Sequence, residues 1–396
     1  MFAITNGIDM EKDDQVTHMI KKIQRWQYIL LTVGIIWIMM NSNSFQSCAK
    51  STFSKRRPVG VMATAVSTDI AVSWEPVAGA AGYVVYEAVE QENTLTFRKV
   101  AQAKNCKVIR KKRERGSVYH YYIRAYREQK NEKKELGKKS RVVSTTVAGE
   151  GISTVKNLLQ TAIAPIGSTM YVWGGGWNKA DTAAGKDAKR IGLSPAWRAF
   201  AANKGASYNY RNYRYQIHDG LDCSGYVGWC VYNVLNTKNN KKGYVYSASK
   251  QAGQFAKLGF GSYTPADKVT EYQAGDIMSS TCTCCGHVWI VVGACADGSV
   301  VLVHASPAGV QICGTVTPEG KKNSEAYRLA RQYMKKYYKT WYEKYPDVSR
   351  GATYLSHYGQ MRWRTGGSDV ILSDPDGYKD MSAEEILKDL FGEAGS

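Results

Sequence analysis

Residues 221–235 read LDCSGYVGWCVYNVL, and residues 286–293 read GHVWIVVG. In the first stretch, apolar side chains recur at helical spacing and predict a helix that begins at Cys223; they occupy positions 226, 227, 230, 231 and 234. In the second stretch, His287 stands before an uninterrupted apolar run, which predicts a buried strand. The second half of the chain is therefore predicted to contain a helix that begins with a cysteine and a buried strand preceded by a histidine.

Cys223 occupies a position that favours reactive thiol chemistry. The start of a helix carries partial positive charge and free backbone N–H groups, which favour thiolate over thiol. The same N–H groups can stabilise an oxyanion. Cys230 lies two turns further along on the apolar face, and we interpret it as a buried, inert thiol.

A thiolate nucleophile needs a base, and His287 is the candidate. Asp297 and Gly298 then predict a turn, and the following strand ends at His304. A cysteine, a histidine on a strand and a polar residue on the next strand follow an order that Cys/His catalysis can use. With a two-residue turn, however, His304 would pair with Val291, roughly 14 Å along the strand from His287 at about 3.4 Å per residue. The two histidines can therefore meet if a longer loop spans residues 294–297.

Five sequence pieces, in order, resemble the NlpC-type cell-wall peptidases, which are papain-like enzymes that cut peptidoglycan stem peptides. The pieces are YVWGG (171–175), DCSGYV (222–227), AGDI (274–277), GHVWIVVG (286–293) and VHAS (303–306). The resemblance implies an α+β papain-like domain without a cofactor. It also implies that Cys223 is the nucleophile, that His287 is general base and then acid, and that His304 orients His287.

The same resemblance assigns substrate-binding positions, namely Tyr171, Trp173, Asp222 and Ser224, three of which match residues that hold the terminal amine of a stem peptide. The chain departs from compact members through an insert at 176–220. Its aromatic residues either shape the substrate cleft or pack internally; they are Trp197, Tyr208, Tyr210, Tyr213 and Tyr215. Trp289 is a further departure, because a bulky ring stands where a small residue is usual.

Several cysteines lie close to His287 in the sequence: Cys282, Cys284, Cys285 and Cys295. Their spacing is not that of paired CxxC zinc ligands, and a metal on His287 would remove the catalytic base. We therefore expect no metal and interpret these residues as a disulfide or as free thiols.

The first half of the chain reads as a small β-sandwich. Short strand patterns separated by turn signals run from Pro58 to about Val147. Trp74, Tyr83 and Tyr122 resemble the aromatic residues that fill the core of a fibronectin type III domain. We expect these three rings to pack between the two sheets.

Length, composition and charge bound the possible functions. A chain of 396 residues with 44% hydrophobic residues is long and apolar enough for two or three folded domains. A net charge of +19 predicts attraction to polyanions. Residues 98–141 hold 17 Lys and Arg against four Glu, which is either a solvated surface or a site for anionic wall polymers. Neither interpretation requires nucleic acid as a partner.

The leader indicates export. Trp26–Met40 is an apolar run of 15 residues behind a basic flank, and at about 1.5 Å per residue it is shorter than the roughly 30 Å hydrocarbon core. A signal peptide over about residues 19–45 fits this pattern, with Met19 as an alternative start and a mature N-terminus between Asn41 and Lys50. A retained membrane anchor and a buried core helix remain alternatives, and a lipoprotein site at Cys48 fits less well.

We thus expect a multidomain, secreted or surface-associated protein: a leader (1–50), a fibronectin type III-like domain (51–148) and an NlpC-type peptidase domain (149–396). A helical C-terminal extension from about 320 to 396 would wrap the peptidase domain, with Ser382 and Glu385 as a capping box. The expected function is cleavage of stem peptides, with anionic wall polymers as further partners. The alternatives are an inactive wall-binding or adhesive protein, and an amidase or acyltransferase on the same fold.

Overall fold

The computed structural model describes residues 53–66, 68–90, 95–129, 133–147, 153–235, 242–282 and 286–393. The leader at 19–45 and its alternatives, as well as Cys284 and Cys285, lie outside these residues. Phe53–Ser396 forms one compact unit, and its described part contains two hydrophobic cores. Within that part, no helix has the length and apolar character needed to cross a membrane.

The smaller core belongs to a β-sandwich. Its strands are β1 (Met62–Val66), β2 (Asp69–Ser73), β3 (Gly82–Val89), β4 (Arg98–Ala103), β5 (Lys107–Arg110), β6 (Val118–Glu128), β7 (Lys134–Leu136) and β8 (Val143–Thr146). One sheet has the order β1-β2-β5, and the other has the order β4-β3-β6-β7, with β8 also paired to β6. The two-sheet architecture predicted from the strand patterns is therefore present.

Two of the three expected aromatic residues lie in the sandwich core. The rings of Trp74 and Tyr83 meet edge to face with centroids 5.2 Å apart, and both are buried. The expectation for Tyr122 is wrong: its ring stacks on Tyr86 at 4.5 Å on the outer face, whereas Tyr121 is completely buried in the core. Strand alternation explains the exchange, because neighbouring residues of β6 point to opposite faces.

The larger core belongs to the second domain. Its helices are α1 (Val155–Ile163), α2 (Pro195–Ala202), α3 (Cys223–Leu235), α4 (Gln251–Lys257), α5 (Glu325–Tyr337), α6 (Lys339–Lys344), α7 (Thr353–Ser356) and α8 (Ala383–Leu390). Its strands are β9 (Met170–Tyr171), β10 (Gly220–Leu221), β11 (Gly261–Thr264), β12 (Ile277–Ser280), β13 (Val288–Ala294), β14 (Val300–Ser306), β15 (Gly309–Thr315), β16 (Ser349–Arg350) and β17 (Tyr358–Trp363). Short 3-10 helices span Phe53–Lys55, Tyr210–Tyr213, Ala266–Lys268 and Tyr378–Asp380.

A seven-stranded sheet with the order β11-β17-β12-β13-β14-β15-β16 organises this domain. Helix α3 packs against β13 and β14, and the predicted helix start at Cys223 is confirmed. The C-terminal extension expected to be helical also supplies strands β16 and β17 to the sheet. The predicted capping box of Ser382 and Glu385 is present at the start of α8.

The sandwich and the second domain share buried polar contacts. The Asn157 amide on α1 bonds the backbone of Thr146 in both directions, at 3.2 and 3.1 Å, and accepts from the Thr145 hydroxyl at 2.7 Å. The Glu75 carboxylate pairs with Arg198 of α2. Strand β8 is therefore bonded directly to the first helix of the second domain.

Candidate active site

Cys223 begins α3 directly after a buried carboxylate. Asp222 Oδ1 accepts from the Gly225 amide at 2.6 Å and from the Ser224 hydroxyl at 2.8 Å, while Oδ2 accepts from the Gly174 amide at 3.2 Å. These bonds satisfy donors at the helix start and attach the 174–177 loop to it. Burial raises the pKa of Asp222 to about 6.

Close backbone approach explains the glycines of two of the sequence motifs. A side chain at Gly225 would collide with the carbonyl of Gly175, and Gly176 lies close to Gly225 with a φ of 90°. Trp177 Nε1 donates to the Ser224 hydroxyl at 3.1 Å and completes this contact. The WGGG loop therefore holds the N-terminus of α3 through backbone contacts that larger residues would prevent.

The two predicted histidines meet. His287 Nε2 lies 2.7 Å from His304 Nδ1, although a simple two-residue hairpin would separate them. The turn is longer, with the Cys295 amide bonded to the Ser299 carbonyl, and the register shifts between Val291 and Gly293. Together these features pair Ile290 with Val303 and move His304 two residues closer to His287 than the simple register predicts.

Cys223, at the start of α3, lies beside the first residues of β13 and next to this pair. Its thiol is buried and points to the Gly286 carbonyl at 4.0 Å, and burial raises its pKa although the Val288 amide opposes part of the increase. The predicted nucleophile, base and orienting residue, Cys223, His287 and His304, therefore share one site.

Burial makes the resting pair neutral. It raises the pKa of the Cys223 thiol, and the Asp222 carboxylate adds to the increase. Burial and the Arg350 charge lower the pKa of His287 to about 3. The helix terminus was expected to favour thiolate, but the loss of solvent outweighs that effect in this conformation.

Three residues of the site were missed in the sequence. Arg350 Nε donates to His304 Nε2 at 3.2 Å, and the Cys313 sulfur lies 3.4 Å from the same nitrogen. The Tyr354 ring packs against His287 with centroids 5.8 Å apart. No motif surrounds Arg350 and Tyr354, and Cys313 reads as a core residue, so no local signal could have identified them.

The predicted substrate-binding residues divide into two groups. Asp222 and Ser224 are buried, and their polar atoms bond neighbouring groups of the protein. The Tyr171 side chain is close enough to Cys223 and Arg214 for their charges to influence its pKa, which burial raises. Among the described residues, none bonds to the Tyr171 hydroxyl.

Trp173 forms an exposed aromatic ridge with part of the insert. Its side chain is 37% exposed, stacks on Tyr210 at 6.4 Å and lies 5.0 Å below the Arg214 guanidinium. Tyr208 donates to the Tyr171 carbonyl at 2.6 Å. Trp197, in contrast, is completely buried against Trp229, so the insert both packs internally and borders the site.

Two further features lie outside the cysteine–histidine site. Cys295, Asp297 and Glu325 could approach one ion, but Asp297 already accepts from the Ser299 amide within its own turn and from the Glu325 amide at the start of α5. A cavity of about 440 Å³ lies within and beside the insert, lined by Asn178, Lys179, Tyr215, Gln216, Ile217, His218 and Asp219. Neither Cys223 nor His287 lines this cavity.

Comparisons with known proteins find similarity over about a quarter of the chain. No protein-family model matches the chain, and no curated protein matches it. Solved structures that match include the twitchin kinase region from C. elegans (15% identity, 25% of this chain and 17% of that chain, TM-score 0.21). A second is the FN5 domain of Drosophila Lar (20% identity, 24% of this chain and 98% of that chain, TM-score 0.20). A third is an Fn3-like protein from Clostridium thermocellum (17% identity, 23% of this chain and 91% of that chain, TM-score 0.20).

The chain spans less than a fifth of the twitchin structure but nearly all of the other two. The overall TM-scores are low, and the assignment of the sandwich rests on this chain's own two sheets and on its Trp74–Tyr83 core. The chain is a multidomain, sheet-rich protein with a fibronectin type III-like component.

Proposed function

We propose that the chain is an exported cysteine peptidase that cleaves peptide bonds in peptidoglycan stem peptides, using a papain-like, NlpC-type second domain. The observation that supports this most is the 2.7 Å contact of His287 Nε2 with His304 Nδ1 beside Cys223. This contact leaves the other ring nitrogen, Nδ1 of His287, for proton exchange with the thiol. Such an arrangement suits Cys/His catalysis.

In this mechanism, His287 accepts the Cys223 proton as the sulfur attacks the scissile carbonyl. Backbone N–H groups at the start of α3 stabilise the developing oxyanion. The imidazolium then donates its proton to the leaving amine, and an acyl-enzyme forms. Water, activated by His287, hydrolyses the thioester and restores the thiol.

The ridge beside the site suits a peptide that bears carboxylates. Arg211 and Arg214 are exposed, and their guanidinium groups lie over Tyr210 and Trp173 at 5.8 and 5.0 Å. A guanidinium can bind a carboxylate through two parallel hydrogen bonds. Stem peptides carry free carboxylates, so this ridge is a suitable wall for the substrate cleft.

The same thiol could serve related reactions. An amidase would release a different amine from the acyl-enzyme, and an acyltransferase would pass the acyl group to an acceptor other than water. Cys223 and His287 would have the same roles, nucleophile and base, in all three reactions. We favour the peptidase because the five sequence pieces resemble peptidases of stem peptides.

A second candidate is a wall-binding protein without catalysis. Exposed lysines along β4 and β5 and directly after β5 favour this function because they can bind an anionic polymer; they include Lys99, Lys107 and Lys111. Arg110 and Arg113 are different, since both pair with the completely buried Glu87 at 3.0 and 3.2 Å. Those two arginines neutralise the sandwich interior and are less available to a partner.

Digestion of purified peptidoglycan tests the peptidase, with soluble fragments identified by mass spectrometry. Cys223→Ala and His287→Ala should each abolish fragment release, because no acyl-enzyme forms without nucleophile or base. Cys230→Ala is the matched control, a buried thiol on the same helix, and should retain release. If the wild type releases nothing from peptidoglycans of several stem chemistries but still binds the wall, the binding function is correct instead.

A further inference from the structure

His304 links the catalytic pair to a buried cation. Its side chain is completely buried, with His287 bonded to Nδ1. On the other side, Nε2 faces two groups: Arg350 Nε at 3.2 Å and the Cys313 sulfur at 3.4 Å. The Arg350 side chain is only 11% exposed. The hydrogen bonds therefore join in one line from Arg350 through His304 to His287.

The direction of each bond in this line follows from Arg350. A guanidinium Nε always carries hydrogen, so His304 Nε2 must present a lone pair to it. The proton of neutral His304 is then on Nδ1, which donates to His287 Nε2. Neutral His287 consequently keeps its proton on Nδ1, the nitrogen that must be free to accept the proton of Cys223.

We propose that Arg350 is a positioning residue that restrains catalysis: while it bonds to His304, His287 is held in the tautomer that cannot act as a base toward Cys223. When Arg350 leaves, His304 passes its Nδ1 proton along the existing hydrogen bond to His287 Nε2. His304 takes a proton from water at Nε2, where the Cys313 sulfur accepts the new hydrogen bond, and His287 releases its Nδ1 proton to water. Each ring carries one proton before and after the exchange, and Nδ1 of His287 becomes free.

The surroundings agree with this restraint. Burial, together with the Arg350 charge, lowers the pKa of both histidines. The exposed carboxylate of Asp347 already lies 3.4 Å from Nη1 of Arg350, so the guanidinium can keep this partner when Nε leaves His304. Among the described residues, the titratable and charged groups in contact with the two rings are Cys313 on β15, Arg350 at β16, Tyr354 on α7 and Tyr358 on β17. Cys223 and Asp222 lie beside the pair at the start of α3, and Asp347 lies beside Arg350.

The inference rests on Cys223 as the nucleophile of the proposed function, but its test needs no peptide substrate. The rate of Cys223 alkylation by iodoacetamide is measured on the full chain from pH 5 to 9 by peptide mass spectrometry. Arg350→Met should increase the rate at pH 7 by about tenfold, because His287 Nδ1 then becomes free to accept the thiol proton. Arg350→Lys retains a cation and a donor and should react much like the wild type.

A double variant tests the role of the second acceptor. In the Arg350→Met background, Cys313→Ala should reverse most of the increase, because His304 Nε2–H loses its acceptor. Cys230 alkylation provides the internal reference, because this thiol is completely buried and reacts only when the protein opens. An unchanged or slower Cys223 reaction in folded Arg350→Met overturns the restraint, as does an equal gain in Arg350→Lys.

The native chain provides a measurement that does not depend on variants. Selective ¹⁵N labelling of histidine should show a protonated Nδ1 and an unprotonated Nε2 on His304; the opposite pattern overturns the inference even if Arg350→Met fails to fold. Fragment release from peptidoglycan is measured in parallel. Its absence with the alkylation change intact contradicts the peptidase and supports the restraint.

Discussion

The Ser224 hydroxyl donates to Asp222 at 2.8 Å and accepts from Trp177 Nε1 at 3.1 Å. Both of its hydrogen-bonding roles are therefore used within the protein, and a substrate amine would have to compete for them. The Tyr171 hydroxyl has no bonding partner in the described part of the chain. At the scale of single residues, the hydrogen bonds of Ser224 indicate a structural role, and the substrate role of Tyr171 stays a prediction.

A pair of variants separates these roles. Ser224→Ala should lower the free energy of unfolding by about 1 to 3 kcal/mol, because it leaves buried polar groups without partners, and KM for a stem peptide should not change. Tyr171→Phe should leave stability unchanged and raise KM about fivefold, equivalent to about 1 kcal/mol. Urea unfolding and steady-state kinetics measure the two effects, and an exchange of the two patterns would contradict these assignments.

At the scale of elements, strand β17 depends on a buried ion pair. Asp276 is 1% exposed and accepts from Arg362 Nη2 at 3.0 Å and from Gln360 Nε2 at 2.9 Å. Both donors belong to β17, which lies between β11 and β12. Burial raises the pKa of Asp276 to about 6, although the arginine opposes the increase. The AGDI motif thus anchors a strand that lies about 85 residues later in the chain.

Arg362→Met should reduce the free energy of unfolding at pH 7 by about 3 kcal/mol, because an ionised Asp276 then lacks its partner. The folded-state pKa of Asp276, already above its unfolded value, rises further in the variant. The loss of unfolding free energy in Arg362→Met therefore develops as pH rises through about 6. It shrinks at pH 4 to 5, where Asp276 is protonated in both folded proteins. Urea titrations at pH 4.5 and 7 provide the measurement.

Arg364→Met is the matched control for this strand. Arg364 pairs at 3.8 Å with Asp369, whose side chain is 78% exposed. The control should change stability by about 0.5 kcal/mol or less, since exposed pairs contribute little. A deficit for Arg362→Met that is equally large at both pH values would show that Asp276 does not carry the effect.

At the scale of the whole molecule, the sandwich is joined to the second domain by buried groups. Asn157 bonds β8, and the Ser153 hydroxyl donates to the Ala65 carbonyl at 3.2 Å. Met62 of β1 packs in the core of the second domain. These contacts attach β1 and β8, whereas the lysines of β4 and β5 project from other strands of the sandwich and remain exposed.

Charge reversal tests whether those lysines bind anionic wall polymers. Lys107→Glu with Lys111→Glu should weaken binding to purified wall about tenfold at low ionic strength, and the difference should disappear at high salt because the interaction is screened. Turnover of a small soluble peptide should not change. Wall co-sedimentation across a salt series measures binding.

Lys321→Glu with Lys322→Glu provides the control, since it alters net charge equally at exposed positions of the second domain. Equal weakening by both pairs would indicate attraction by net charge and would exclude a site on the sandwich. Arg113 is left intact in this test, because its reversal would leave the buried Glu87 without one of its partners.

Local pattern was sufficient for the elements that carry the site. Helical spacing after residue 222 determined the start of α3, the apolar run after His287 determined β13, and the Ser382–Glu385 pair determined the start of α8. Alternating strands and the Trp74–Tyr83 pair determined the sandwich. These features depend on periodicity and capping, which involve only residues close together in the sequence.

Long-range packing decided the rest. The turn at 295–299 and the register shift after Val291 brought His304 to His287, and β16 brought Arg350 to His304 from 46 residues away. Burial of these two residues could not be predicted from a local stretch of sequence. It keeps the resting Cys223 thiol and His287 imidazole neutral, although the helix terminus favours thiolate. The sequence by itself determined which groups could react; the tertiary structure decided their separation and their protonation, because register and desolvation arise from contacts between distant segments.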